Sequence, residues 1–380
     1  MRTDRLLRNR TALDALLQVA LLLTMVLLFT GPVTAQTAST EPSTPPIVDA
    51  QGKPVRSAVA SLEPTMVNGV KQWTLIRGHD IWNPVLLYVD SAPGVSHMAW
   101  SRRYNAELEK HFVVVNWDQR GAGKSFTGKA LNGQATVDQF VADLVEVTGQ
   151  LRARFRQEKI YLLGHGYGAL IGAVAAQRHP ELFHAFIAVA PVVNPSETDQ
   201  TAFRYARDAA TELGDTALLA ELKTLGPPPY TGNGFYARYS AVRTAALRFA
   251  GAEYPSNAFR ETMTTAAAEA PEYSPSERQR LPQAEADTLT AMYPALARVD
   301  LAKHVPAISV PVYFVLGRHN YAACPSAADR YFALLTAPIK SLVWFEQSAQ
   351  APNYEEPDKF LQLMVGRVLT GTLQRREISQ

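Results

Sequence analysis

Four uninterrupted apolar runs punctuate the chain: residues 85–89 (VLLYV), 112–115 (FVVV), 160–163 (IYLL) and 185–190 (AFIAVA). Each is too short for a helix and carries no polar alternation, so each reads as a strand buried on both faces. Residues 72–77, after the turn-like Asn68-Gly69, read as a further strand, and 79–84 as the turn that leads into VLLYV. Between the strands the period changes. Residues 136–155 place Val137, Phe140, Val141, Leu144, Val147 and Leu151 on one helical face behind an N-cap at Thr136, and 100–110 reads as a shorter helix. Residues 159–191 form one unit of strand, tight turn, helix and strand. Further on, helical stretches at 201–213, 217–225 and 241–249 are separated by the breaker Gly226-Pro227-Pro228-Pro229 and by turn-rich segments.

The ends read differently. Arg2, Arg5, Arg8 and Arg10 precede an apolar run at 16–29 and the small residues Val33-Thr34-Ala35, the pattern of a secretory signal. An uncleaved membrane anchor is the alternative, since a spanning helix needs about 20 apolar residues. Export follows from either, to the periplasm or the medium. The Thr-, Ser- and Pro-rich stretch 36–56 suits a flexible tether.

Composition narrows the class. With 47% apolar and 19% charged residues in 380, the chain can bury a large core and disorder is excluded as its general state. The formal charge of +2 falls to near zero without residues 1–35, and no basic stripe suggests nucleic acid. Cys324 is the sole cysteine, which excludes an intramolecular disulfide and a Cys-rich zinc site; no metal and no cofactor are expected.

Two loops carry candidate chemistry. The Gly-rich run 116–125 (NWDQRGAGKS) suggests phosphate binding, but a Walker loop would need a glycine where Asp118 stands. The turn Gly164-His165-Gly166-Tyr167-Gly168 has the outline of a nucleophile elbow, G-x-S-x-G, with Gly166 in the serine's place.

The runs HFVVVNWDQRGAGKS (111–125), GHGYG (164–168) with the following AAQRHPELFHAF (175–186), PVYFVLGRHNY (311–321) and LVWFEQSAQAPNYEEPDKF (342–360) together resemble the proline iminopeptidase-like branch of the α/β-hydrolase superfamily. The resemblance spans about residues 70–369. It implies an α/β-hydrolase fold, a mainly parallel, doubly wound sheet with a helical cap inserted after the strand that follows the elbow helix. The resulting division is a signal peptide (1–35), a linker and first turn (36–69), core (70–192), cap (193–306) and core again (307–380).

The resemblance also places the triad of that family. Its serine falls on Gly166, its acid on Asn320 and its histidine on Gln350, and none of these side chains can supply a nucleophile, a carboxylate or an imidazole. The oxyanion loop, usually HGGPG, reads Asp90-Ser91-Ala92-Pro93-Gly94; Ser91, Ala92 and Tyr167 are the oxyanion-loop positions, and Asp90, His165 and His319 the possible pocket residues. On these grounds the chain is expected to be no enzyme, a pseudo-hydrolase that binds a small molecule or peptide under the cap, or a protein partner. The alternative is an aminopeptidase- or esterase-like hydrolase acting on N-terminal residues or acyl esters through an unconventional site.

Overall fold

The computed structural model describes residues 41–372, apart from 92, 132, 251–264 and 322–323. The expected signal segment lies outside the described residues, as do Ala92 and the first residues of the expected tether.

The apolar runs become the middle of one sheet. Its strands are β1 (Val59–Val67), β2 (Val70–Gly78), β3 (Val85–Val89), β4 (Val113–Asp118), β5 (Ile160–His165), β6 (Phe183–Val189), β7 (Val312–Gly317) and β8 (Lys340–Phe345). They lie in the order β1-β2-β4-β3-β5-β6-β7-β8; β1 and β2 pair antiparallel, β2 pairs antiparallel with β4, and all other pairs are parallel. Every residue of β3, β4, β5 and β7 is buried, which is why the runs at 85–89, 112–115 and 160–163 carry no polar alternation.

β1 corrects the expected linker, because nine residues inside 36–69 form the edge strand. Its side chains are mostly half-buried and it contains Pro64, so it lacks the apolar run that marks the central strands. An edge strand tolerates a proline because one side of its backbone needs no partner.

Helices cover both faces: α1 (Met98–Tyr104), α2 (Val137–Phe155), α3 (Tyr167–Arg178) and, past the cap, α9 (Pro325–Leu334), α10 (Pro352–Glu355) and α11 (Pro357–Leu363). Between β6 and β7 the chain leaves the sheet for α4 (Pro195–Glu212), α5 (Thr216–Leu225), α6 (Phe235–Ala250), α7 (Pro275–Leu296) and α8 (Leu301–His304). Thr136 caps α2 as its sequence suggests, accepting from Gln139 N–H at 3.1 Å. A capping box of Ser274 and Glu277 starts α7.

The DQR loop after β4 ties core to cap. Arg120 is buried and forks onto both oxygens of the buried Asp143, at 2.5 and 2.7 Å. Nearby, Lys124 Nζ reaches Glu277 at 2.8 Å and the Thr288 hydroxyl donates to the Gly121 carbonyl at 2.9 Å, so this loop positions α7.

Candidate active site

The chain runs from β3 outward to β4 on one side and returns to β5 on the other, so the loops that leave β3 and β5 diverge between adjacent parallel strands. That is the switch point at which open α/β sheets bind ligands. A cavity of about 460 Å³ lies there. Its floor includes Ser91, His97, His165, Gly166 and Tyr167, and one wall is the 349–351 loop. The cap contributes Tyr236, Tyr239, Ser240, Arg243, Thr244 and Leu247 from α6 and Glu285 from α7.

The elbow has the geometry its sequence outlines. Gly166, between β5 and α3, has φ 54° and ψ −117°, a conformation that L side chains rarely adopt. Gly168 allows close packing: a Cβ there would lie 2.1 Å from the Val89 carbonyl oxygen. Opposite the elbow, the β3–β5 register pairs Leu86 with Tyr161 and Val89 with Gly164. Continued by two residues, it sets Ser91 level with Gly166. The Ser91 carbonyl accepts from Tyr167 N–H at 2.8 Å, and a Cβ built on Gly166 would lie 2.6 Å from that oxygen. The loop after β3 thus occupies the space above the elbow, and it engages the N–H that the resemblance assigns to the oxyanion.

His97, at the start of α1, is the residue that sequence reasoning missed. Its Nε2 lies 2.8 Å from Ser91 Oγ. Its Nδ1 faces Asp90 Oδ1 at 3.7 Å and the Tyr354 hydroxyl at 3.4 Å. Its backbone N–H donates to Asp90 Oδ2 at 2.9 Å, which closes the loop on itself. Asp90 Oδ1 accepts no hydrogen bond among the described residues. Burial, and then the neighbouring His165, hold the His97 ring well below the usual histidine range, so it is neutral at neutral pH. Burial, and then Asp118, push Asp90 well above the usual carboxylate range. A signal for His97 existed in its spacing of six residues from Ser91, but only the fold turns that spacing into contact.

The other expected residues divide into two groups. His165 lies in the cavity floor, buried, with Nε2 donating to the Gln350 carbonyl at 2.7 Å; burial lowers it to about 4. Gln350 lines the same cavity, on a loop held by Glu355, whose carboxylate accepts from the N–H groups of Ala349 and of Ala351, the latter at 2.9 Å. Asn320 is buried and His319 Nε2 donates to the Glu346 carbonyl at 3.1 Å, and neither lines the cavity. Asp90 stands behind His97 and does not line it either.

On the cap side, the Tyr239 and Tyr167 hydroxyls meet at 3.4 Å, linking α6 to the elbow helix. Arg243 stacks over Tyr239 at 5.3 Å, and its Nη1 has no hydrogen-bond partner among the described residues. Burial holds the Glu285 carboxyl above its ordinary range, against the opposing pull of Tyr236 and Arg243. A half-buried cation and a carboxyl group therefore share the cavity's ceiling.

This architecture is shared with solved structures. A proline iminopeptidase-related protein from Thermus thermophilus superposes with a TM-score of 0.57 at 20% identity, over 80% of this chain and 94% of its own. The enol-lactonase from Burkholderia xenovorans gives 0.53 at 20% identity, over 81% and 100%. In sequence, the protein named "Probable aminopeptidase YbaC" from Bacillus subtilis is 29% identical over 308 residues, 81% of this chain and 96% of its own length. Residues 94–349 match the family described as "Serine aminopeptidase, S33".

These similarities overturn the expectation that the chain is no enzyme, because the family and the relative matched over nearly its whole length are both named for aminopeptidase activity. The expectation followed from the three triad positions and the altered oxyanion loop. A missing side chain at one of them says nothing about hydroxyls and imidazoles that other loops bring to the same cavity, as Ser91 and His97 are brought. With more than half its length matched, the chain belongs to the serine aminopeptidase family of the α/β-hydrolases.

Proposed function

We propose that the chain is an acyl hydrolase of the aminopeptidase or esterase kind, cleaving N-terminal residues or acyl esters held between the cap and the carboxyl ends of β3 and β5. The cavity carries this reading. At about 460 Å³ it is of the size that holds small ligands, roughly 300–1,000 Å³. Its floor sets a serine hydroxyl against a neutral imidazole, the pairing that acyl transfer requires. Its ceiling offers Arg243 and Glu285 to the polar end of a small substrate. The reading also draws on the family to which the chain belongs.

In this proposal the family's serine position plays no chemical part, since Gly166 has no side chain, and neither Asn320 nor Gln350 acts as acid or base. The test is hydrolysis by the purified full chain of a panel of aminoacyl anilides, free and N-acetylated, and of short acyl esters. Turnover above the uncatalysed rate is expected for at least one class, and preference for the free amines would favour the aminopeptidase branch. No turnover of any member would overturn the proposal.

A further inference from the structure

We propose that Ser91 is the nucleophile of this enzyme and His97 its general base, with Asp90 as the residue that positions His97. The serine would then come from the loop after β3 instead of from the elbow. This rests on the hydrolase reading above and assigns its chemistry to named side chains.

Position is the first argument. Ser91 sits level with Gly166 in the parallel register, and its Cα lies 3.4 Å from where a Cβ on Gly166 would be. The backbone of Ser91 therefore lies over the elbow, and the residue lines the cavity that the cap closes. Pairing is the second. Ser91 Oγ and His97 Nε2 are in hydrogen-bond contact at 2.8 Å, and both residues line the cavity. Nδ1 faces the Asp90 and Tyr354 oxygens, so a proton on Nδ1 leaves Nε2 free to accept from the serine. Asp90 is fastened to the backbone of His97 through one oxygen and turns the other, unbonded, toward the ring.

Other nucleophiles are placed worse. The Ser348 hydroxyl is buried and donates to Glu356 at 2.6 Å. Cys324 packs against Thr201 and Ser326 and does not line the cavity. Ser240 does line it, from the cap, where its hydroxyl donates to the Ala237 carbonyl.

In the reaction, Ser91 Oγ adds to the substrate carbonyl carbon as its proton passes to His97 Nε2. The bond from that carbon to the leaving nitrogen or oxygen breaks, and the leaving atom takes the proton from Nε2. Water then attacks the acyl group on Ser91, giving its proton to Nε2, and the serine recovers that proton as the acid departs. One water is consumed. The imidazolium formed in each half keeps its Nδ1–H turned toward Asp90 Oδ1, 3.7 Å away, whose lone pairs hold the ring in place. Tyr167 N–H is engaged by the Ser91 carbonyl, so the oxyanion needs another donor. The side-chain amide of Gln350, on the opposite wall, is of the right chemistry.

The test treats the full chain with a fluorophosphonate, which forms an Oγ–P bond with loss of fluoride, and maps the modified peptide by mass spectrometry. Labelling at Ser91 is expected, absent in Ser91→Ala and slowed by about 10²-fold or more in His97→Gln, the lower end of what a general base contributes. Asp90→Asn should slow labelling and lower kcat, with KM and melting temperature unchanged. Ser91 is half-buried and the alanine removes a single oxygen, so that variant stays folded even if His97→Gln does not. Labelling of another residue, no labelling, or an unchanged rate in folded His97→Gln overturns the proposal. Turnover of the substrate panel separates the two claims. Activity that survives Ser91→Ala sinks this assignment and leaves the hydrolase reading standing, whereas wild-type protein with neither label nor turnover sinks both.

Discussion

Gly166 keeps the backbone angles that lift a side chain off the sheet while offering none, and the carbonyl of Ser91 lies close to where that side chain would begin. The residues around it are set by burial. His165 has its ring pushed down to about 4 by desolvation, against an ordinary 6.5, so folding favours its neutral form. Its contribution to stability is therefore present above pH 6.5 and is lost as the pH falls toward 4. At 1.36 kcal/mol per pH unit, the loss across that window is roughly 3 kcal/mol. Buried carboxyl groups raised above their ordinary range, Asp90 and Asp118 among them, act in the opposite direction over part of it. The difference between wild type and His165→Gln removes those shared terms. Urea denaturation at intervals from pH 7 to pH 4 should show wild type losing stability relative to the variant as the pH drops; parallel curves would mean that the ring is not held neutral. The elbow itself was legible in sequence, because three glycines at fixed spacing between a strand and a helix have few other uses. The partnership of Ser91 with His97 was not, since it depends on how the fold brings Asp90, Ser91 and His97 together, and no periodicity reports that.

At the scale of elements, the same loop-to-strand logic recurs after β4. The run NWDQRGAGKS mimics a phosphate loop in composition, yet its arginine is turned inward onto Asp143 of α2 and its lysine onto Glu277 of α7. Asp143 also accepts from the amides of Asn68, Gln72 and Gln139, so α2, β2 and the DQR loop share one buried carboxylate. Arg120→Met would leave that carboxylate buried beside amides only. Removing one partner of a buried pair costs about 3–5 kcal/mol, and the melting temperature and urea midpoint should fall accordingly. A loss within experimental error would show that the amides alone satisfy Asp143. Central strands and the α2 helix could be read from apolar pattern because both faces of the sheet are covered. β1 could not, since an edge strand with half-buried residues and a proline carries no such signature.

For the whole molecule, the cap makes a cleft into a site. Without α6 and α7 the loops after β3 and β5 would open to solvent; with them, Tyr236, Tyr239, Arg243 and Glu285 face the floor that holds Ser91, His97 and His165. The family and fold follow from motifs spread over most of the chain, while the cap's contribution was legible only as helices with breakers, whose cavity-facing side no single sequence declares. Thr244 is exposed on α6 and lines the cavity, so an indole there projects into the space that the substrate needs without disturbing the core. The most direct test of catalysis in this cavity is therefore kcat/KM for the best substrate of the panel in wild type and in Thr244→Trp, with melting temperatures taken alongside. Turnover by wild type is expected, with a loss of tenfold or more in the variant at an unchanged melting temperature. Equal kcat/KM in the two proteins would place the chemistry outside this cavity and contradict its assignment as the active site.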